Sequence, residues 1–296
     1  MSTHTDTAAL LRRPLPLRYR RAGDMLFKLL ILGFGLLVMA LALSLAVVLF
    51  LEGRSAIGSF GFWGFLVSRE WDPALNQLFG ALPFLVGTVI TSVAALALSF
   101  FPAIAVAVFS AEYAPRWLAH ILDGLVDLIA AVPSVVVGIW GIFVFAPWMR
   151  ENFYLPLYMW ATENQPGLLP YLGSPMGYGM ATAVIVLALM IIPFTAALSR
   201  DAIRLVPTSQ REAAWGLGAT RWEVIRMAVL PYARGGIIAG AVLSFGRAIG
   251  ETMAVAMLIG NNNSLPFSIF GPAATMPSVI INEFREAVEN LHLSSL

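Results

Sequence analysis

An arginine and a glutamate, Arg247 and Glu251, lie four residues apart within the otherwise apolar stretch 235–260. Side chains four residues apart share one face of a helix, so the spacing predicts a stacked ion pair. At 1.5 Å per residue, Arg247 lies about 18 Å from the start of this stretch, near the middle of a bilayer. An arginine there costs about 2.5–3.5 kcal/mol on insertion scales and therefore faces protein or a water-filled path. Ser244 and Thr252 extend this polar face.

Two interpretations of the pair remain open from the residues alone. A guanidinium offers an oxyanion two parallel N–H donors, so Arg247 could bind an anion in a pathway while Glu251 holds the arginine when no anion is present. Alternatively, the pair only fixes helix packing and never contacts a substrate. Ser134 is a further pathway candidate, because Pro133 before it frees a carbonyl and a hydroxyl there can line a cavity. A purely structural role for this serine is equally open.

Composition excludes several other chemistries. The chain has no cysteine, and therefore no thiolate nucleophile, iron–sulfur cluster or disulfide. His4, His120 and His292 show no metal-binding spacing. The single lysine, Lys28, follows no glycine-rich loop, so any ATP used here would have to be bound by another chain. We predict no catalytic residue and no metal site in this chain.

A second stretch, 212–231 (EAAWGLGATRWEVIRMAVLP), is charged and interrupted by glycine between two apolar segments. It predicts two short helices broken at Gly216 and Gly218, since glycine tolerates positive φ. A short helix at the membrane surface could insert into a cleft on a soluble partner. It could equally be a connector in the membrane interface, with Arg221 and Arg226 against anionic lipid. The residues alone do not decide between these alternatives.

The elements that position these residues are membrane-spanning helices. The 296-residue chain is 59% hydrophobic and 12% charged, with a mean hydropathy of +0.80, whereas soluble proteins carry about 25% charged residues. We therefore predict an all-α, polytopic protein in a lipid bilayer. Spans are predicted at residues 29–51, 81–109, 120–148, 179–199 and 235–260, with an ordered external loop at 149–178. The first span exceeds the ~7–15 apolar residues of a cleavable signal peptide, which favours an anchor over that alternative. No apolar run follows residue 260, and we expect a sixth span to be missing after Leu296.

Lysine and arginine accumulate on the cytoplasmic side of membrane proteins, and their distribution predicts a cytoplasmic N-terminus. The basic segment 1–28 and the loop 200–234 then lie inside. The cations inside would be Arg12, Arg13, Arg18, Arg20, Arg21, Lys28, Arg116, Arg200, Arg204, Arg211, Arg221, Arg226 and Arg234, and those outside Arg54, Arg69, Arg150 and Arg285. Asp123 and Asp127 are predicted to complement a helix dipole near the cytoplasmic end of the third span. The spacings Gly236-x-x-x-Gly240 and Gly246-x-x-x-Gly250 favour close helix packing over a chemical role.

The stretch 212–231 resembles the signature loop of ABC importer permeases. The matching residues are Glu212, Ala213, Ala214, Gly218, Leu230 and Pro231, while Ala228 stands where isoleucine is usual. The resemblance covers residues 80–290 and is to phosphate permeases of the PstC family. The matching parts are the segments 199–207 and 132–136 and the residues Pro83, Gly87, Thr88, Ser92, Glu112, Tyr113 and Pro115. Its most specific part is 246–255, GRAIGETMAV, whose ending favours PstC over the similar PstA.

The resemblance implies the transmembrane domain of a type I ABC importer, a transporter subunit that cleaves no bond itself. It implies that the loop docks into a groove on an ATPase, with coupling residues Glu212, Ala213, Ala214, Gly218, Arg221 and Pro231. The implied partners are a second permease resembling PstA, two ATPases resembling PstB that carry ATP and Mg, an external phosphate-binding protein and phosphate, with no nucleic acid. Alternatives are a permease for sulfate or molybdate, a secondary transporter that uses Arg247 and Glu251 for ion coupling, and a scaffold without transport.

Overall fold

The computed structural model describes residues 17–73 and 76–296, with side chains from Gly23 onward. Most of the predicted basic N-terminal segment 1–28, including Arg12 and Arg13, lies outside the described residues. The chain divides into two units, Met1–Ser55 and Ala56–Leu296.

The first unit contains most of a single long helix, α1 (Leu17–Phe60), whose residues 56–60 belong to the second unit. Its large apolar side chains from Met25 to Leu51 are all exposed within the chain, for example Leu36 at 56% and Phe50 at 66%. A helix that is apolar on all sides belongs in a hydrophobic solvent. The predicted first span at 29–51 lies within a helix that is long and apolar enough to cross a membrane, Gly23–Phe60.

The second unit holds the remaining elements. After α2 (Phe62–Val67), a small antiparallel hairpin pairs β1 (Trp71–Asp72) with β2 (Leu78–Phe79). The helices that follow are α3 (Leu82–Val108), α4 (Arg116–Ala130), α5 (Ser134–Asn164), α6 (Met180–Arg204), α7 (Thr208–Gly216), α8 (Arg221–Ile249), α9 (Met253–Leu258), α10 (Met276–Glu283) and α11 (Asn290–Ser295). Of the described helices, five are long and apolar enough to cross a membrane, namely α1, α3, α5, α6 and α8.

The third predicted span is wrong in its boundaries. Residues 120–148 are not one helix, because α4 ends at Ala130 and α5 begins at Ser134 after an extended Pro133 with ψ 133°. Proline disfavours the helical region for the residue before it, which separates the two helices. The predicted external loop at 149–178 is also wrong over its first half, since α5 continues to Asn164.

Prolines misled that prediction because this fold accommodates them with π-helical turns. The turns Gly141–Phe145 and Arg150–Tyr154 of α5 each end two residues before a proline, Pro147 and Pro156. In the same way, Ile225–Val229 of α8 precedes Pro231, and the turn Phe109–Tyr113, which prolongs α3, precedes Pro115. A proline ring clashes with the carbonyl four residues earlier, and that carbonyl lies inside the widened turn in all four cases. The helices α5 and α8 therefore continue through their prolines.

Helix α6 is the centre of this unit. In the most apolar stretch of α6, 56% of the residues are buried, whereas at most 33% are buried in the most apolar stretches of the other candidate spans. Val186, Leu187 and Ile191 of α6 pack with Ala95 of α3 and Leu258 of α9 in the main hydrophobic core. A second core, around Ile203, Val224 and Val229, lies where α6 and α8 approach the loop 205–220. We call the side that carries this loop the loop side, and the opposite side the far side.

Helix α8 packs closely along α6. A Cβ added to Gly236 would lie 2.4 Å from Ala202 Cβ, and one added to Gly240 would lie 3.0 Å from Leu198 Cβ. The packing role predicted for Gly236-x-x-x-Gly240 is therefore confirmed. The same prediction is wrong for Gly246, because nothing lies within 4 Å of a Cβ there.

On the far side, one carboxylate joins three segments that are distant in sequence. Glu283 at the end of α10 accepts hydrogen bonds from Trp71 Nε1 (2.8 Å) and Asn263 Nδ2 (2.8 Å), and its Oε2 lies 3.0 Å from His292 Nε2 of α11. The side chains of Glu283 and His292 are only 15% and 10% exposed. This cluster ties the hairpin, the 260–275 loop and the last two helices together.

Candidate functional site

Arg247 lies in the last turn of α8 and reaches the middle of α6. Its Cζ is 5.4 Å from the ring centroid of Phe194, a cation–π contact. Phe194 follows Pro193 roughly halfway along α6, which spans Met180–Arg204. The arginine Nε is buried and has no hydrogen-bond partner among the described residues. A cation is thus held midway along a membrane-spanning helix with unused donor capacity.

The predicted stacked pair of Arg247 and Glu251 is wrong. Helix α8 ends at Ile249, so the two residues do not share a helical face. The carboxylate of Glu251 instead accepts a 3.4 Å hydrogen bond from the backbone N–H of Ala254, at the start of α9. No ion pair joins Arg247 to Glu251 in the described part of the chain. The physical reason is Gly250, a weak helix former that allows the chain to turn between α8 and α9.

The other predicted pathway residues lie in three different environments. Ser244 is fully buried, and Thr195 donates to its Oγ at 2.7 Å, so this serine links α6 to α8. Thr252 is half-buried, and its hydroxyl donates to the carbonyl of Gly250 at 3.1 Å. Ser134 is half-buried at the first residue of α5.

The first turns of α5 pack along α9. A Cβ on Gly138 would lie 3.1 Å from the Cα of Ala254, and one on Gly141 would lie 2.8 Å from Leu258 Cδ1. Ser134 therefore opens a helix that packs against the segment following Glu251 and Thr252. Phe194 and Thr195 were missed from the sequence, although the run Pro193-Phe194-Thr195 inside an apolar span was an available signal.

The segment 212–231 folds as predicted in its first half. Helix α7 ends at Gly216, Gly218 has a φ of +82°, and a capping box of Thr220 and Glu223 starts α8. Positive φ was expected at Gly216 and Gly218, and of these two only Gly218 adopts it. The second helix is not short, because α8 runs on to Ile249.

This segment forms an open groove of about 920 Å³, which we call the loop groove, lined by Ala213, Ala214, Gly218 and Pro231 among others. Leu217 at its edge is 90% exposed, and Glu212 is exposed with no hydrogen bond or ion pair among the described residues. An exposed leucine beside a groove and an unpaired carboxylate are features of a docking surface.

Two arginines attach this segment to the end of α3. Arg211 of α7 forms an ion pair with Glu112, with Nη2 2.7 Å from Oε1, and Arg221 at the start of α8 donates to the backbone carbonyl of Glu112. The guanidinium of Arg221 also lies 4.7 Å from the ring centroid of Tyr113. Arg221, predicted to contact an ATPase, therefore binds its own chain.

Asp123 and Asp127 are not in the first turn of α4, so the predicted complement to a helix dipole is wrong. Asp123 lies 3.0 Å from Arg200 and 2.8 Å from Arg204, both at the loop-side end of α6, and accepts a 2.7 Å hydrogen bond from Ser110. Burial raises the pKa of Asp123, but the hydrogen bonds from Ser110 and Arg204 and the two positive charges outweigh it, so its pKa lies below the usual value. Asp123 thus stays ionised at neutral pH and fixes α4 to α6.

Comparison with known proteins places these features in a family. Residues 103–276 match the family described as "Binding-protein-dependent transport system inner membrane component". The chain is 41% identical over 274 residues, 92% of its length and 83% of the relative's, to the phosphate transport system permease protein PstC of Mesorhizobium japonicum. It is 41% identical over 265 residues to PstC of Haemophilus influenzae (89% of this chain, 83% of the relative), and 36% identical over 281 residues to PstC 2 of Mycobacterium tuberculosis (93% and 85%).

The matched region contains the loop groove, Arg247 and the core around α6. It is a transporter component and not an enzyme, and its spans make it a multi-pass protein of the inner membrane. The chain belongs to the inner-membrane permease components of binding-protein-dependent ABC transport systems.

Proposed function

We propose that the chain is the permease subunit of an ATP-driven importer that carries inorganic phosphate into the cell. The relatives that cover about nine-tenths of the chain are phosphate permeases by name. Within the chain, one observation carries the proposal: a mid-span guanidinium, Arg247, whose buried Nε has no partner among the described residues. Phosphate is a tetrahedral oxyanion, and it accepts the two parallel N–H donors of a guanidinium better than the point charge of an ammonium.

The surroundings of Arg247 support binding that is weak enough to reverse. The face of the Phe194 ring offsets part of the positive charge of Arg247. A bound anion would therefore not have to displace a carboxylate from this contact. Glu251, bound to the start of α9, contributes a negative charge to the same region of the chain without occupying the guanidinium. Phosphate would therefore meet an available cation within a region that is not strongly attractive overall.

The loop groove supports coupling to a separate ATPase. In the proposed complex, Glu212 and the groove residues contact one of two ATPase chains, which hold ATP and Mg. A second permease completes the pathway, and an external phosphate-binding protein delivers the anion on the far side. This arrangement puts the N-terminus and the loop side in the cytoplasm, in agreement with the distribution of arginine.

The test is uptake of radiolabelled phosphate by proteoliposomes that contain the whole complex, with excess unlabelled sulfate as competitor. We expect ATP-dependent phosphate uptake that sulfate does not reduce. Phosphate uptake driven by an ion gradient without the ATPase, or inhibition by sulfate, would contradict the proposal.

The variant Arg247→Ala tests the proposed anion site. We expect it to assemble normally and to lower phosphate uptake by a factor of ten or more, because about 1.4 kcal/mol of lost binding already gives tenfold. Arg247→Lys should recover little, since an ammonium lacks the planar fork. Arg285→Ala, which removes an exposed far-side arginine, is the matched control. Unchanged uptake by Arg247→Ala would show that this arginine is dispensable.

A further inference from the structure

We propose that Glu112 is a positioning residue for coupling, because its ion pair with Arg211 makes the π-helical turn Phe109–Tyr113 the point through which movement of α7 reaches α3. This inference rests on the proposed function, in which an ATPase moves α7. It adds a contact within the permease itself, between the docking segment and a membrane-spanning helix.

The ion pair is the side-chain polar attachment of helix α7 to α3. None of its residues is buried, and its N-cap and C-cap make no side-chain hydrogen bond. Two residues of α7 are half-buried: Ala214 packs against the second core, and Arg211 has only 14% of its side chain exposed. The partner of Arg211, Glu112, is 12% exposed. Movement of α7 therefore reaches α3 through the polar contact of Arg211 with Glu112, beside the apolar contact of Ala214 with the second core.

The geometry of the Arg211 side chain makes this a stiff connection. Both Nε and Nη2 donate to Glu112 Oε1, at 3.2 and 2.7 Å. Nη2 also donates to the carbonyl of Ile203 at 3.0 Å, and Nη1 donates to the carbonyl of Val206. One planar guanidinium thus joins α7, the end of α6 and the end of α3, and its fork shape allows little rotation.

The same turn receives the other half of the loop. Arg221, the first residue of α8, donates to the carbonyl of Glu112 and stacks on Tyr113. Ser110 in this turn donates to Asp123, which is paired with Arg200 and Arg204 of α6. Phe109–Tyr113 is therefore the one described turn that contacts α4, α6, α7 and the start of α8 through polar groups. Single π-helical turns often mark functional positions in helices.

Helix α3 connects this turn to the far side. Near its other end, a Cβ on Gly87 would lie 2.1 Å from the carbonyl oxygen of Ala274, and the backbone N–H of Met276 donates to Thr88 at 2.9 Å. Displacement of the turn would therefore reach the 271–276 segment that precedes α10. Breaking the Glu112–Arg211 pair should let α7 move while α3 stays in place.

The experiment measures phosphate transported per ATP hydrolysed by the reconstituted complex. For Glu112→Ala we expect normal assembly and continued ATP hydrolysis, but a coupling ratio lowered roughly fivefold or more, the range of typical coupling energies. Asp127→Asn is the matched control, since it removes an exposed loop-side carboxylate 3.8 Å from Arg200. A parallel fall of hydrolysis and transport at a constant ratio would overturn the proposal, because a merely structural residue predicts that result.

Cross-linking positions 112 and 211 distinguishes loss of the contact between α3 and α7 from a folding defect. The chain has no natural cysteine, so a double variant, Glu112→Cys with Arg211→Cys, carries only two thiols and can be joined by a short bismaleimide. We expect the coupling ratio to be low before cross-linking and restored after it. No recovery after complete cross-linking would contradict the proposed linkage.

A last measurement does not depend on the cargo. Spin labels at Ser209→Cys and Arg116→Cys report the distance between the start of α7 and the segment after Tyr113, with and without nucleotide in the complex. We expect this distance to stay constant with Glu112 present and to change in Glu112→Ala. A constant distance in both would overturn the inference, whereas failure of the native complex to import phosphate would overturn only the proposed function.

Discussion

At the scale of single residues, the proposed anion chemistry depends on Arg247 having no carboxylate partner in the part of the chain that the structure describes. Arg247 is half-buried, and its buried Nε has no hydrogen-bond partner among the described residues. An unsatisfied buried donor is costly, and an arriving anion recovers part of that cost. Had Glu251 been bound to the guanidinium, phosphate would first have had to separate an ion pair. Because the chain turns at Gly250, Glu251 instead accepts a hydrogen bond from the start of α9.

Gly87 allows a prediction at the same scale. Because its added Cβ would lie 2.1 Å from a backbone oxygen, Ala274 O, no side-chain rotation can relieve the contact in Gly87→Ala. We expect a loss of stability of about 1–3 kcal/mol, typical of overpacking. The measurement is the thermal melting temperature of the purified complex in detergent.

Gly124→Ala on α4 is the control for this substitution, because nothing lies within 4 Å of its Cβ. It should be neutral or slightly stabilising, since alanine favours helix over glycine by about 1 kcal/mol. Equal melting temperatures for the two variants would mean that α3 does not approach the 274–276 segment as closely as described.

At the scale of elements, the helices on the loop side have separate tasks. Helix α4 is fixed to α6 by the Asp123 ion pairs, whereas α7 exposes most of its surface next to the loop groove. The fixed helix provides a rigid base, and the exposed one is available for a partner.

The variant Glu212→Lys tests whether α7 docks an ATPase. The residue is exposed and makes no hydrogen bond or ion pair among the described residues, so reversing its charge should leave the fold intact. In an interface the reversal should weaken ATPase docking by on the order of tenfold or more, because juxtaposed like charges cost several kcal/mol. Co-purification of the ATPase with the tagged permease measures this. Glu163→Lys, at the far-side end of α5, is the matched control, and equal ATPase recovery from both variants would exclude Glu212 from the docking surface.

The elements also show which parts of the structure a sequence can predict. Three of the five predicted spans, 29–51, 81–109 and 179–199, coincide with helices long and apolar enough to cross a membrane, because twenty or so apolar residues require burial in lipid wherever they occur. The fifth, predicted at 235–260, is wrong in its boundaries, because α8 begins at Arg221 and ends at Ile249. The third was misplaced because a proline can begin a helix, as Pro133 does, or lie within one, as Pro147 does. Pro147 follows a π-helical turn, whereas Pro193 lies inside α6 without one, and local composition does not indicate which of these arrangements a proline adopts.

The candidate site was predictable in its residue types but not in its pairing. Arg247 was recognisable because a charge in an apolar span is costly, and the loop 212–231 because its charge and glycines interrupt two apolar segments. The partners were not predictable from spacing. Arg211 binds Glu112 across 99 positions, and Trp71 binds Glu283 across 212, so only the folded chain brings them together.

At the scale of the whole molecule, α6 and α8 act as one unit. Gly236 and Gly240 allow backbone approach, and the hydrogen bond between Thr195 and Ser244 closes the contact beside Arg247. The backbone of Arg247 therefore moves only with this helix pair, and its guanidinium stays within reach of one side chain.

This close packing has an electrical consequence. A guanidinium fixed in a helix pair does not cross the membrane field with its cargo, so the charge that is translocated is that of the anion alone. Each negative charge carried into a cell against 100 mV requires about 2.3 kcal/mol of electrical work. We therefore expect an imposed inside-negative potential to slow phosphate uptake into proteoliposomes and an inside-positive potential to accelerate it, as measured with potassium gradients and valinomycin. Uptake that is insensitive to potential would mean that protons accompany the anion. With a fixed arginine, the electrical part of the work must come from ATP.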